Sequence, residues 1–325
     1  MRWPRFAVTL LLLLVSALGS SLDASSRPSA EPNLDIFVVN ADGSGRRNLT
    51  KSPAWDAQPA ISPDGRTLAF VRNRTALAVM ASDGSRRRSL IQLTKVNSPT
   101  WSRDGARIAF DTCYRTCEVG IVRRDGSGLV SIPNGASPRW DPTRNRLAYA
   151  TTSETTGIAV VNADGSGQRL VVRASDLDSL FLEQPVWSPQ GSKLAFRGDP
   201  CCPLYSVKVD SASPPRLLAP NGHDATWSPN GKRLALTGGH RLLFVRADGS
   251  GLRPIRGTGG THSPAWSPDG TRLAYIDPVG NERRLVVLDL NRHSARIVAR
   301  GAAVSRPVWS PDSRKLYYAG FIKAR

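Results

Sequence analysis

Three histidines and one aspartate are the side chains of this sequence best suited to chemistry. His223 and His262 each stand four residues before a tryptophan, in the contexts Gly-His-Asp and Thr-His-Ser. His240 follows Gly238-Gly239, and Asp224 adjoins His223. Imidazole nitrogens with a carboxylate suit a divalent transition metal, so His223, His240, His262 and Asp224 form a candidate metal set. The same side chains would only orient loops if their hydrogen bonds went to backbone. No other cofactor is expected. Nucleophilic catalysis has less support: the serines crowd into turns, the chain holds no Gly-x-Ser-x-Gly elbow, and no Ser or Cys has an activating context. Asn40-x-Asp42-Gly43 resembles the start of a calcium loop but lacks the closing glutamate, so a hairpin turn explains it better. No catalytic residue is assigned.

The four cysteines fall in two local pairs, Cys113 with Cys117 and Cys201 with Cys202, and all four are disulfide candidates. Cys113 and Cys117 are placed to bridge a hairpin connection. Cys201 and Cys202 either form an adjacent-residue ring or stay reduced. Such usage fits an exported chain. So does the start of the sequence: Arg2 and Arg5, an uncharged run from Phe6 to Leu18, then Ala17, Gly19, Ser20 and Ser21. That order is a secretory signal, and the run falls short of the ~20 residues a spanning helix needs; retention as an anchor is the alternative. The expected division is a signal peptide at 1–24, a linker at 25–33, one folded domain at 34–321 and a tail at 322–325. The net charge of +18, with arginine far ahead of lysine, suits an acidic partner; Arg-rich codon usage would also produce it.

What positions these groups is a repeat. Pro59-Ala-Ile-Ser-Pro-Asp-Gly65 with Leu68-Ala-Phe70 returns around Trp101, Trp140, Trp187, Trp227, Trp266 and Trp309, at spacings of 39 to 47 residues. Between the copies, Val-rich runs meet at Asp-Gly turns such as Val38-Val-Asn-Ala-Asp-Gly-Ser44. Asp-Gly between apolar runs is a hairpin signal, so each copy holds four short strands: one through the Trp, one through Leu-Ala-Phe, and two in the hairpin. Four strands in ~40 residues is the propeller period, and the Pro and Gly density excludes a helical solenoid. The fold expected is all-β: a seven-bladed propeller of four-stranded antiparallel blades. A hairpin at Asp35 to Thr50 precedes the first copy and the last copy lacks one, so the N-terminal hairpin and the C-terminal strands should share the last blade and leave no open edge.

The motif Pro-x-Trp-Ser-Pro-Asp-Gly-x-x-Leu-Ala-Phe/Tyr, followed by Asn-Ala-Asp-Gly-Ser-Gly, resembles the WD40-like Pro-Asp repeat of the TolB-type propellers over roughly residues 33–321. The resemblance implies the fold and, by analogy only, an extracytoplasmic place, secreted or periplasmic, among envelope components. The seven-bladed oligogalacturonate lyases look similar in placing His and Gln around a metal. Gln58 and Gln184 take the same repeat position here as Asp224.

The two kinds of turn must fall on one face of the disc, the bottom, and the remaining connections on the other, the top. Top connections at 173–183, 198–203, 257–262 and 277–283 vary in length and composition, and variable loops on a rigid frame are where binding usually lives. His223, His240, His262 and both cysteine pairs map there. Six basic residues, Arg107, Arg146, Lys193, Arg233, Arg272 and Lys315, recur two positions after the Asp-Gly slot near the bottom. They form either a cationic ring for an anionic cell-wall polymer or a solvated rim. The function expected is a non-enzymatic scaffold that binds an envelope or extracellular protein, peptide or glycan through the top loops. The alternative is a metal-dependent lyase or hydrolase at the channel mouth. Export argues against a nucleic-acid partner, and a monomer is expected.

Overall fold

The Leu-Ala-aromatic segments are apolar on consecutive residues, not alternate ones. Leu68, Ala69, Phe70 and Val71 are all fully buried, as are their counterparts Leu194, Ala195 and Phe196. A strand buried on both faces must lie between two covering layers, and in this molecule the covering layers are the neighbouring blades. The computed structural model describes residues 33–321 apart from 114–115, 201 and 302. The signal peptide read at 1–24, nearly all of the linker, the tail at 322–325 and Cys201 lie outside the described residues.

The described strands form seven four-stranded antiparallel sheets. Blades one to six take residues 56–92, 97–133, 135–173, 182–219, 223–259 and 262–301 in chain order, each folding inner to outer as strands a to d. Each strand a touches strand a of both neighbouring blades, and blade seven touches blade one, which closes the ring. Blade seven is composite, as expected. Ala303–Trp309 and Lys315–Phe321 are its strands a and b, and Asp35–Asn40 and Arg47–Asn48 its strands c and d, with Ile36 opposite Ala319 and Phe37 opposite Tyr318.

The core is a set of layers between blades. One layer joins Ile158 and Val172 of blade three to Trp187, Leu194 and Phe196 of blade four. The indoles close these layers by reaching back one blade. Nε1 of Trp101 donates to the Ala60 carbonyl at 3.0 Å, that of Trp187 to Arg139 at 2.9 Å, Trp227 to Val186 at 3.2 Å and Trp309 to Ala265 at 3.0 Å. The buried Nε1 atoms of Trp140 and Trp266 find no acceptor among the described residues.

The Ser-Pro-Asp-Gly turn is built from its own side chains. Asp64 accepts from the Arg66 amide at 2.9 Å, and the Ser62 hydroxyl accepts from the Thr67 amide at 2.9 Å. Gly65 sits at φ +71°, where a side chain would be strained. The donors hold Asp64 below its ordinary range, the Ser62 hydroxyl first among them. The top connections depart from expectation in two places: 257–259 belongs to the strand Arg253–Gly259 of blade five, and 277–283 is an extension of blade six, with strands Arg272–Val279 and Glu282–Asp289 running to a short turn.

Asp56, at the head of strand a of blade one, is fully buried, 3.8 Å from Arg72 and 4.0 Å from Arg87. Burial raises its carboxyl to about 6 despite the two guanidinium groups. A carboxyl with a folded-state value above its unfolded one favours folding more as it protonates, so its contribution rises as pH falls through about 6. Thermal melts at pH 7.5 and 5.0 should show the wild type gaining on Asp56→Asn at the lower pH; parallel profiles would refute the assignment. A second comparison isolates the indole bonds. Trp101→Phe loses a hydrogen bond that Trp140→Phe does not, so urea denaturation should find it the costlier substitution by about 1 kcal/mol.

Candidate functional site

Every strand a carries the same irregularity. In blade three Ala136 pairs with Ala150 and Arg139 with Ala148, so Ser137 and Pro138 together face one residue of strand b. The same one-residue bulge occurs in all seven blades. The bulged residues are Gln58, Ser98, Ser137, Gln184, Asp224, Ser263 and Arg306. Six have φ between +50° and +54° and Arg306 has +22°. None is glycine, so each costs on the order of 1 kcal/mol in backbone strain. Bulges of this kind re-aim side chains, and here six of them line one channel cavity of about 320 Å³.

Adjacent positions are linked around the ring. The Ser98 amide donates to Gln58 Oε1 at 2.6 Å, and the Ser263 hydroxyl to Asp224 Oδ2 at 3.4 Å. Asp111 of strand b accepts from the Ser137 amide at 2.9 Å. Towards the bottom a second cavity of about 550 Å³ continues the channel, lined by Gln58, Ile61, Trp101 and Trp309 among others. The two cavities share Ser98, Arg139, Arg306 and Val308, which mark the waist between them.

The candidate metal residues gather only in part. His223 and His262 open strand a of blades five and six, with Asp224 on the channel wall. His262 Nδ1 lies 3.1 Å from the Ser263 hydroxyl, and His223 Nδ1 is buried without a partner among the described residues. His240 sits in the b–c turn of blade five, where its carbonyl accepts from the Gly260 amide at 2.5 Å. No three His, Cys, Asp or Glu groups among the described residues stand close enough together to hold a metal ion. Burial lowers the His262 imidazole below its ordinary value, with Arg283 and His223 adding to the effect and Asp224 opposing it.

Cys113 and Cys117 form a disulfide across the b–c connection of blade two, with Cα atoms 4.1 Å apart. Cys202 makes no disulfide among the described residues, and its proposed partner Cys201 lies outside them. The recurring basic residues divide. Arg146, Arg233 and Arg272 fold over the tryptophan of the next blade, with Cζ 5.0 Å from the ring of Trp187, 4.8 Å from Trp266 and 5.2 Å from Trp309. Arg146 also pairs with Asp141 at 2.9 Å and Asp210 at 3.0 Å, and Arg272 with Asp269 at 3.1 Å. These three are staples between blades. Arg107, Lys193 and Lys315 have no ion pair among the described residues. The sequence reading grouped Gln58, Gln184 and Asp224 at one repeat position, which the structure puts on the channel wall, but missed Ser98, Ser137, Ser263, Arg306 and Arg139. The signal was present: each bulged residue stands three before the Trp or Ile of its repeat.

The TolB beta propeller domain matches residues 117–324. The chain belongs to this family. Among solved structures, this TolB-type propeller is similar to a putative TolB from Agrobacterium tumefaciens at 18% identity, over 90% of this chain and 99% of that one, with a TM-score of 0.62. It is similar to an oligogalacturonate lyase from Vibrio parahaemolyticus at 13% identity, over 90% and 98%, with a TM-score of 0.68. It is also similar to the β-propeller domain of the Trilobed protease from Pyrococcus furiosus at 14% identity, over 78% and 88%, with a TM-score of 0.59. At these identities the likeness is one of fold. That protease propeller is described as having an open velcro topology, whereas this TolB-type ring is closed by strands from both ends. No curated protein matches the sequence.

The rim electrostatics can be read directly. An NMR titration should place the His262 imidazole below the free-histidine value. Asp224→Asn should move it lower still and Arg283→Gln raise it; no response to either would contradict the arrangement of charges at the mouth.

Proposed function

We propose that this TolB-type propeller is a non-enzymatic, extracytoplasmic scaffold that takes a protein or peptide partner on its top face. The observation that carries the reading is the connection from blade three to blade four. It begins as a 3-10 turn at Ala174–Leu177, anchored by the buried Ala174, and ends by presenting Leu180 and Phe181 to solvent at 74% and 40% exposure. A hydrogen bond of 2.8 Å from Thr156 to the Leu180 carbonyl holds it. Phe181 stands three residues before Gln184, so the apolar pair leads straight to the channel wall. Large exposed apolar side chains held on a fixed loop beside a polar mouth are the composition of a protein-binding surface: an apolar centre with hydrogen-bonding groups around it. The Cys113–Cys117 disulfide and the signal-like start support an oxidising compartment.

Photocrosslinking in the native cells tests the reading. A photoreactive residue at position 180 should give a discrete protein adduct that Phe181→Ser diminishes several-fold. The same probe at Leu217, an exposed position on the outer strand of blade four, should not. Equal labelling from both positions, or none from 180, would overturn the proposal.

A further inference from the structure

Two positions break the repeat inside the channel. The residue before the Trp or Ile of strand a is Ala60, Thr100, Val186, Thr226, Ala265 or Val308 in six blades, and Arg139 in blade three. The bulged residue is serine, glutamine or aspartate in six blades, and Arg306 in blade seven. In a ring of seven, blades three and seven are as far apart as two blades can be, so the two guanidinium groups come from opposite walls. Both line both cavities, and so they bracket the waist.

Arg139 and Arg306 make no ion pair among the described residues, unlike Arg72, Arg146, Arg197 and Arg272. Among the described residues the Arg139 side chain donates one hydrogen bond, to the carbonyl of its own neighbour Pro138 at 2.9 Å. Of the nearby carboxylates, Asp111 accepts from the Ser137 amide and Asp224 from the Ser263 hydroxyl, and neither forms an ion pair with either arginine. Burial lowers the Arg139 guanidinium to about 10, with Arg306 adding to the effect and Asp111 opposing it; even so it is charged at neutral pH. A half-buried and an exposed guanidinium that face a shared cavity with most of their donors unspent suit an anion between them. The flat fork of a guanidinium matches a planar two-oxygen group best.

We infer that the channel waist between Arg139 and Arg306 is a binding site for one carboxylate group. The hydroxyl of Ser98, which lies at the same level, supplies a further donor on the wall. The top cavity is large enough for the end of a chain that enters from the mouth, at the low end of ordinary ligand sites. Naming a peptide as the source of the carboxylate rests on the function proposed above; the site itself does not.

Trifluoroacetate observed by 19F NMR is a direct probe. With the full chain, its resonance should shift and broaden saturably. Acetate should reverse the effect, and acetamide, the neutral counterpart, should not. Arg306→Gln, at an exposed position, should weaken binding at least tenfold with an unchanged melting temperature, and Arg139→Gln should abolish it. Arg107→Gln, outside the channel, should leave it unaltered. Displacement by chloride as effective as that by acetate, or binding that survives Arg306→Gln, would overturn the inference. A second arm separates the source. A tetrapeptide without acidic side chains should compete when its C-terminus is free and fail as the C-terminal amide. If acetate competes and neither peptide does, the carboxylate site stands and the peptide reading of the top face falls.

Discussion

At six of the seven blades an indole is pressed between one blade and the one before, and in four of these interfaces its N–H is tied to the backbone of the blade before. The blades share no backbone ladder with one another, so this wedge and the apolar layer around it are what hold separate sheets at a fixed angle. The wedge also explains why the strands beside it are apolar on both faces, and why arginine recurs two positions after the turn. A guanidinium laid over the indole of the following blade shields its outer face and extends the contact to the bottom of the disc. Part of the excess positive charge is therefore spent inside the frame, in stacks and ion pairs such as those of Arg146 with Asp141 and Asp210.

Nearly all of the architecture was legible in the residues, because each copy of the unit carries its own strand and turn signals and seven copies remove the ambiguity of one. The spacing of the tryptophans, the Asp-Gly hairpins and the order of the first and last segments lead to the blade count and to the composite seventh blade. The site was legible only in outline. A period-two reading assigns side chains to faces, but the bulge in each strand a inserts one residue and resets that assignment. Which side chain points into the channel therefore depends on a backbone irregularity that propensity does not reveal. Arg139 and Arg306 went unnoticed for that reason. The basic residues near the bottom were visible as a pattern, yet their stacking on the next blade depends on the offset between blades, which no single repeat encodes.

The channel wall, like the top connections, is a place where the repeat stops repeating. Its wall is made from the same bulged position in every blade, with the same strained backbone, but the side chains there differ: two glutamines, three serines, an aspartate and an arginine. Outside that position the copies agree in what they need for packing. A frame that repeats itself for stability and varies at its inner ring separates the residues that hold the shape from those that choose what meets it. The top connections divide the same way, with Leu180 and Phe181 exposed on a segment whose first residue, Ala174, is buried.

The composite blade also sets an order of events. Asp35–Asn40 leaves the ribosome long before its partner Lys315–Phe321. Until that partner arrives, the early strand has no neighbour on its inner side and the seven-fold circle is an open arc. Pairing between such distant segments is slow because a long loop must be closed first. The clasp thus ties the closed ring to the arrival of Lys315–Phe321: without that strand, blade seven cannot pair with Asp35–Asn40 and the circle of blades stays open on one side.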